Sequence, residues 1–405
     1  MLVFLKKPLC YPIKSFWFRT GILLIPFSQL IATPCFAESA DGNYSDALYS
    51  ACLSAGVPSF CQALFPQATG GQGGVPTEIS NIGILGSQGR TANLIAQQQK
   101  KDIRRRLDSI ENKTTTLGGG ASTDMQYGAL GTFVTFQHSG TDRQATALEN
   151  GFLSELNGVL GGMDYRFMDN FIAGVTVGYS NTNANFFNQA GGLDTANINS
   201  AAYVAYNPTE NTTIDGYFGY ASLTYDSQRK VNFGLFNDVA VGRADGDQYL
   251  AGFSASYAWQ ASALTLSPQV KLDYSNTHID VFTETGSQLS STYGAQNIRS
   301  LRSSVGGIAS YALSVPWGVL LPQVRAHYVH EFKDPSRDLS ISLAALPSAG
   351  FSNPTDNPDR DFFTWGGGVS TVMAHGVQMF VDYEQLSGNF IYNVWTVSAG
   401  IRTEF

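Results

Sequence analysis

Charged side chains are scarce in this 405-residue chain, at 14% against roughly 25% in an ordinary soluble domain. Long apolar runs are missing beyond the first 40 positions, which excludes a helical membrane protein with many spans, since each span needs about 20 apolar residues. Basic residues are outnumbered 24 to 32 by acidic ones, which argues against nucleic acid as a partner. Aromatic residues, at 12%, are too frequent for a disordered chain. The composition therefore indicates an all-β protein with a weakly charged, aromatic surface.

Residues 1–37 have the layout of a secretory signal peptide. Four basic residues precede the apolar stretch 21–32, and the small residues Cys35 and Ala37 stand where a cleavage site requires them. The alternative, a transmembrane anchor, is weaker because 12 apolar residues are too few to span a bilayer. We predict export, with cleavage after Ala37.

Two cysteines, Cys52 and Cys61, remain after that cleavage. An oxidising periplasm favours a local disulfide between them, and a metal site would need further Cys or His residues that residues 38–89 do not contain. This segment carries four acidic and no basic residues and contains the flexible glycine-rich run 70–74. We predict a short N-terminal segment with one disulfide.

Residues 90–113 change character, with seven basic and three acidic residues and a net charge of +4. The absence of Gly and Pro predicts a helix roughly 30 Å long. Its basic cluster consists of Lys100, Lys101, Arg104, Arg105 and Arg106. A basic amphipathic helix can also lie on a membrane surface or in water, and these alternatives stay open at this point.

Residues 114–405 alternate with a period of two, which places successive side chains on opposite faces of a strand. One face is apolar with aromatic residues at its ends, and the other is rich in Gly, Ser and Thr. This is typical of a transmembrane barrel with a lipid face and a polar lumen. Twelve strands are predicted near 126–138, 153–167, 171–186, 195–207, 212–226, 247–260, 263–275, 298–315, 318–333, 361–374, 376–386 and 391–405.

Connection lengths support the barrel. Tight connections follow the even-numbered predicted strands up to the tenth, and longer connections follow the odd-numbered ones up to the ninth, including 227–246, 276–297 and 334–360. Outer-membrane barrels combine short periplasmic turns with longer extracellular loops, and an even strand count leaves no open sheet edge in lipid. We predict an all-β fold, a 12-stranded antiparallel transmembrane β-barrel formed by residues 114–405.

Several stretches resemble a known family. The run Gly161-Gly162-Met163-Asp164-Tyr165-Arg166-Phe167-Met168-Asp169-Asn170-Phe171, together with 206–209 and the terminal Phe405, is similar to the autotransporter β-domain, the translocator barrel of type V secretion. The resemblance implies a barrel in the Gram-negative outer membrane, and makes Phe405 part of the signal read by the barrel-assembly machinery. It also implies outer-membrane lipid and periplasmic chaperones as partners of a monomeric barrel.

The resemblance further implies that the helix of residues 90–113 threads the pore. The charges favour the same arrangement. Residues 114–405 carry 13 basic and 25 acidic residues, so a +4 helix is attracted into the confined, acidic lumen. Two features depart from the family pattern. Thr403, two residues before the terminal Phe405, stands where the family usually has an aromatic residue. The exported segment that precedes the barrel, which is called the passenger, is only residues 38–89. We expect this segment in the periplasm or at the cell surface. The alternative function is a structural or adhesive surface barrel that acts through its three long loops.

The sequence predicts no enzyme and no cofactor or metal. His327 and His330 are three positions apart on a strand and so cannot share a metal. His278 with Asp280 is the one candidate for catalysis, and we expect both to be ordinary loop residues. The charged residues Lys271, Arg325, Asp382 and Glu384 are expected to form a solvated or helix-contacting network in the lumen.

Overall fold

The computed structural model describes residues 49–50, 86–116, 129–233, 236–333, 336–357, 359–373 and 376–404. Ala37, Cys52, Cys61 and Phe405 lie outside the described residues, so the cleavage site, the disulfide and the assembly signal stay predictions. No helix among the described residues is both long enough and apolar enough to cross a membrane.

One long α-helix, a short 3-10 helix (Phe187–Gln189) and eighteen strands make up most of the regular structure of the described residues. The α-helix is α1 (Gly86–Thr116). The strands are β1 (Leu130–Arg143), β2 (Phe152–Met168), β3 (Phe171–Phe186), β4 (Gly191–Thr209), β5 (Thr212–Phe233), β6 (Phe236–Tyr257), β7 (Trp259–Ala261), β8 (Leu264–Ile279), β9 (Phe282–Thr283), β10 (Ser291–Tyr293), β11 (Gln296–Tyr311), β12 (Leu313–Val315), β13 (Gly318–Glu331), β14 (Asp338–Leu343), β15 (Leu346–Pro354), β16 (Asp361–Met373), β17 (Gln378–Ser387) and β18 (Tyr392–Glu404).

Twelve long antiparallel strands close into a barrel within the described residues. The strands pair in the order β1, β2, β3, β4, β5, β6, β8, β11, β13, β16, β17 and β18, and β18 pairs again with β1. The closing seam runs from Gly131 opposite Glu404 to Arg143 opposite Tyr392. The short strands β7 and β12 pair with β8 and β13 beside the barrel's short connections. The predicted fold class is confirmed.

The two faces of the wall differ as the alternation predicts. Along β3, Val175, Val177 and Tyr179 are exposed, whereas Thr176 and Ser180 are buried. Because the exposed set is apolar and forms a band around the barrel, its solvent is the hydrocarbon of a bilayer.

The helix α1 lies in the lumen. It begins at Gly86 and ends at Thr116, which is longer at both ends than the predicted range 90–113. Its residues Ala96, Ile103 and Leu107 pack against an apolar part of the inner wall. That part of the wall consists of Phe133, Leu160, Ile172, Ala201, Tyr203, Ala205, Tyr217 and Leu250. The helix is therefore seated against the β1–β6 side of the barrel.

The long loops predicted from the sequence are largely folded into strands. The sequence predicts a loop at 227–246, which is wrong, because β5 and β6 stay paired up to Phe233 and Phe236. The other two predicted loops contribute β9, β10, β14 and β15, which form a separate four-stranded sheet. We call this sheet the cap. Strands continue past the membrane because their inner side chains, such as Tyr225 and Val231, stay buried beneath the cap.

An apolar cluster joins the cap, the wall and the helix at the barrel end that carries the longer connections. Its buried members include Ala92 and Ile95 of α1, Phe152 of the wall, and Ile341 and Tyr293 of the cap. We call this cluster the mouth core. A barrel lumen is usually polar. This end is instead filled with apolar side chains, as the interior of a soluble domain is.

The lipid-facing band can be tested by placing a charge in it. Val175 lies midway between Phe171 and Tyr179 on the outer face of β3, and we expect Val175→Arg to lower the free energy of unfolding by roughly 2–4 kcal/mol. Denaturation of the barrel in lipid vesicles measures this. The control Ser222→Arg, two residues beyond Tyr220 on β5, should cost roughly 0–1 kcal/mol. Equal losses would contradict the position of the band.

Candidate functional site

Arg104 of α1 is the most densely paired cation in the lumen. Its Nη1 lies 2.7 Å from Oδ1 of Asp215, and its Nη2 lies 2.9 Å from Oδ1 of Asp273. Nη2 also donates to the carbonyl oxygen of Phe253 at 2.8 Å, and the guanidinium lies 5.0 Å from the ring centre of Tyr217. The side chain is 8% exposed. A charge buried this deeply is tolerated because every side of it meets an acceptor or an aromatic face.

Arg106 makes a second buried pair on another part of the wall. Its Nη2 lies 2.8 Å from Oδ2 of Asp164, and its guanidinium lies 5.5 Å from the ring centre of Phe133. Asp164 also accepts a hydrogen bond from the Tyr203 hydroxyl at 2.9 Å and pairs with Arg402 at 2.8 Å. One carboxylate of β2 therefore links α1 to β4 and to the last strand.

Glycines make room for the two tyrosines that support these carboxylates. A Cβ at Gly174 would collide with the ring of Tyr203, and a Cβ at Gly252 would collide with the ring of Tyr217. The ring of each tyrosine therefore lies over a neighbouring strand. Tyr217 donates to Asp273 at 2.7 Å, as Tyr203 does to Asp164. The small residues on the lumen face thus position the ion pairs.

Lys101 and Arg105 contact the opposite side of the barrel. Nζ of Lys101 lies 2.7 Å from Oε1 of Glu384, and Nε of Arg105 lies 3.3 Å from Oδ1 of Asp382. Both carboxylates also pair with Arg325, at 3.2 and 2.5 Å respectively. The network expected from the sequence does contact the helix.

The remaining basic residue and one acidic residue of α1 complete the set. Nζ of Lys100 donates to Oγ of Ser275 at 3.1 Å. In one pair the helix supplies the anion and the wall supplies the cation: Asp108 of α1 accepts from Lys271 of β8 at 3.2 Å. All five residues of the predicted basic cluster therefore lie in the lumen and contact the wall. We call these pairs between α1 and the wall the lumen network.

Asp164, Asp215 and Asp273, the carboxylates that pair with Arg104 and Arg106, are not among the site residues predicted from the sequence. The alternation nevertheless carries a signal for them. Asp164 lies between Met163 and Tyr165, which face lipid, so its own side chain must face the lumen. The same parity argument holds for the other two carboxylates.

A second ionic cluster lies at the mouth, and we call it the mouth cluster. Nη2 of Arg90 on α1 lies 3.1 Å from Oε1 of Glu149 in the β1–β2 loop. Nη2 of Arg143 lies 2.8 Å from Oε2 of Glu149 and 2.6 Å from Oδ2 of Asp356, which precedes β16. The first part of the helix is thereby tied to two loops.

Electrostatics of the mouth cluster favour the charged state of Glu149. Burial raises the pKa of this carboxyl, but the charges of Arg90 and Arg143 and a hydrogen bond from the backbone N–H of Asp356 at 2.9 Å outweigh burial, and the pKa lies below its usual range. The ion pairs are therefore present at neutral pH.

Space remains on the side of the lumen that α1 does not pack against. Cavities of about 100 and 120 Å³ border the helix there, and both are lined by Arg105, Asp108 and Arg325. Each has room for water beside the helix. Protein atoms therefore fill the side of the lumen against which α1 packs more completely than the other side.

The histidine candidate sits on the outer surface. Nε2 of His278 lies 3.3 Å from Oδ1 of Asp280, with both side chains exposed, and Nδ1 of His278 faces Oδ1 of Asn297 at 2.9 Å. Within the described residues no group of three or more His, Cys, Asp or Glu residues is arranged to hold a metal ion.

The closed barrel and the ion pairs of α1 define a class of protein: a membrane β-barrel with a helix bound inside its lumen. The sequence profile of the autotransporter beta-domain matches residues 132–384. The chain belongs to this family. It is therefore an integral outer-membrane β-barrel of translocator type, which confirms the predicted family, function class and location and does not favour the adhesive alternative.

Solved structures share this fold. The translocator domain of the autotransporter NalP from Neisseria meningitidis is 16% identical, with a TM-score of 0.60 over 78% of this chain and 98% of that chain. The beta domain of the Bordetella autotransporter BrkA is 15% identical, with a TM-score of 0.50 over 68% of this chain and 100% of that chain. No curated protein matches the chain at the level of sequence.

Removing one cation tests the lumen network. Arg104→Gln leaves Asp215 and Asp273 buried without their cation, and we expect the free energy of unfolding to fall by about 3–5 kcal/mol. The control Lys101→Gln removes a side chain that is 21% exposed and should cost about 1 kcal/mol or less. Denaturant titration of the purified barrel in detergent measures both. Equal effects would show that burial of the pair does not determine its contribution.

Proposed function

We propose that this barrel carries its own N-terminal segment to the cell surface and then retains α1 in the lumen as anchor and plug. The observation that carries the proposal is the direction of the helix. Arg90, near its start, contacts the loops at the mouth, and Arg106, 16 residues later, contacts Asp164 near the β2–β3 turn. Because the longer connections of such barrels are extracellular, the chain upstream of α1 leaves the barrel on the outside.

The plug function rests on two filled layers. Nearer the short turns, the ion pairs of Arg104 and Arg106 hold α1 to two different parts of the wall. At the mouth, Ala92 and Ile95 lie in the apolar mouth core. A solute that passes has to displace either the apolar side chains of the mouth core or paired charges, and both are unfavourable.

The barrel is expected to need partners for its assembly but to have no catalytic role. Family membership supports assembly by the barrel-assembly machinery, with periplasmic chaperones before insertion, and a monomeric barrel in outer-membrane lipid. We infer no catalytic role, because His278 and Asp280 are exposed on the outer surface rather than gathered in a cleft.

Export can be tested with an epitope tag at residue 45. We expect antibody to bind this tag on intact cells, because the chain upstream of α1 leaves through the extracellular mouth. A tag in the short turn at 210–211 is the control and should react only after the outer membrane is permeabilised. Reaction of the residue-45 tag only in permeabilised cells would contradict export.

The plug can be tested by recording currents across planar bilayers. The intact protein should show no large channel, and deletion of residues 86–116 should open one of wide, stable conductance because the lumen loses the helix and its half of the ion pairs. Deletion of residues 40–77, which keeps α1, should leave the barrel closed. A wide, constitutive channel in the intact protein would contradict the plug.

A further inference from the structure

The mouth core has an apolar border on which a further segment of the chain can pack. It is apolar where a lumen is usually polar, and half-buried side chains border it. Leu94 of α1 and Leu346 and Phe351 of β15 are such border residues. Apolar groups at a border of this kind gain from any further contact that excludes water.

One border residue comes from far upstream in the chain. Tyr49 is half-buried and packs against the mouth core, and Tyr49 and Ser50 have helical backbone conformation. The first turns of α1 contribute Ala92 and Ile95 to the same core. Two parts of the chain that are well separated in sequence therefore meet at one apolar cluster.

The chain between Tyr49 and α1 is long enough to place these two parts far from each other. Residues 51–85 comprise 35 residues, which could reach roughly 120 Å if fully extended. Tyr49 and the start of α1 nevertheless contact the same apolar cluster.

We propose that the N-terminal segment docks on the mouth core through Tyr49 and stays bound there, rather than extending from the cell as a free passenger. The inference rests on the proposed export function, because docking at the extracellular mouth requires the segment to arrive there. The occupant of this surface is a part of the same chain, and the contact that holds it is apolar and independent of the peptide connection to α1.

Cutting that connection on intact cells tests the docking. A recognition sequence for a site-specific protease is inserted between Gln72 and Gly73, in the glycine-rich run 70–74, and an epitope tag follows Asp41. Cells are treated with the protease, which cannot cross the outer membrane, and are then pelleted. The tagged fragment is quantified in the pellet and in the supernatant.

We expect the fragment to stay with the cells although it is cut. Tyr49→Ala should raise the released fraction about tenfold, since a large apolar contact is lost, whereas Ser50→Ala, at the exposed neighbouring position, should release no more than the unaltered segment. Because all variants keep the barrel unchanged, insertion and heat-resistant folding of the barrel serve as a control for assembly.

The outcomes separate the two proposals. Equal release from the unaltered segment and from Tyr49→Ala overturns docking while export stands. Equal retention in both overturns the role of Tyr49. If the fragment is cut only after lysis, and the tag at residue 45 is also unreactive on intact cells, export itself fails and docking fails with it.

Discussion

Pairing of charge inside a confined lumen is the constraint on which the rest of the structure depends. A helix with five clustered cations can enter a space of low dielectric only if carboxylates are waiting at matching depths, because an unpaired buried charge costs several kcal/mol. Asp164, Asp215 and Asp273 meet this need at fixed positions on the wall. The pairs therefore set the depth and rotation of α1, and the tyrosines and glycines of the lumen face are arranged around them.

Much of the barrel follows from sequence because lipid enforces a simple rule. Each strand must show apolar side chains outward, so alternation alone locates β3 or β8 and predicts that Asp273, between Leu272 and Tyr274, faces inward. The location of the basic cluster could be predicted for the same electrostatic reason. Which carboxylate each arginine meets could not, since this depends on strand register and on the rotation of α1.

The extracellular end was harder to predict from sequence. Its strands keep alternating beyond the membrane, but their polar outer faces and turn-rich composition look like loops when no partner sheet is known. The cap forms from contacts between segments that are far apart, such as Tyr293 opposite Ile341, and local propensity carries no information on such pairs. The mouth cluster of Arg90, Arg143, Glu149 and Asp356 escaped prediction for the same reason, since it joins three separate parts of the chain.

The most direct measurement of the central claim is crosslinking of α1 to the wall in living cells. Nε2 of Gln98 donates to Oγ of Ser139 at 2.7 Å, so Gln98→Cys and Ser139→Cys, with Cys52 and Cys61 replaced by Ser, should be joined by a short thiol crosslinker. Gln98→Cys with Ser267→Cys should not be joined, because Ser267 is two residues from Gln269, which contacts Asp108, roughly 15 Å further along the helix. Equal crosslinking of the two pairs, or of neither, would contradict a helix held at a fixed depth in the lumen.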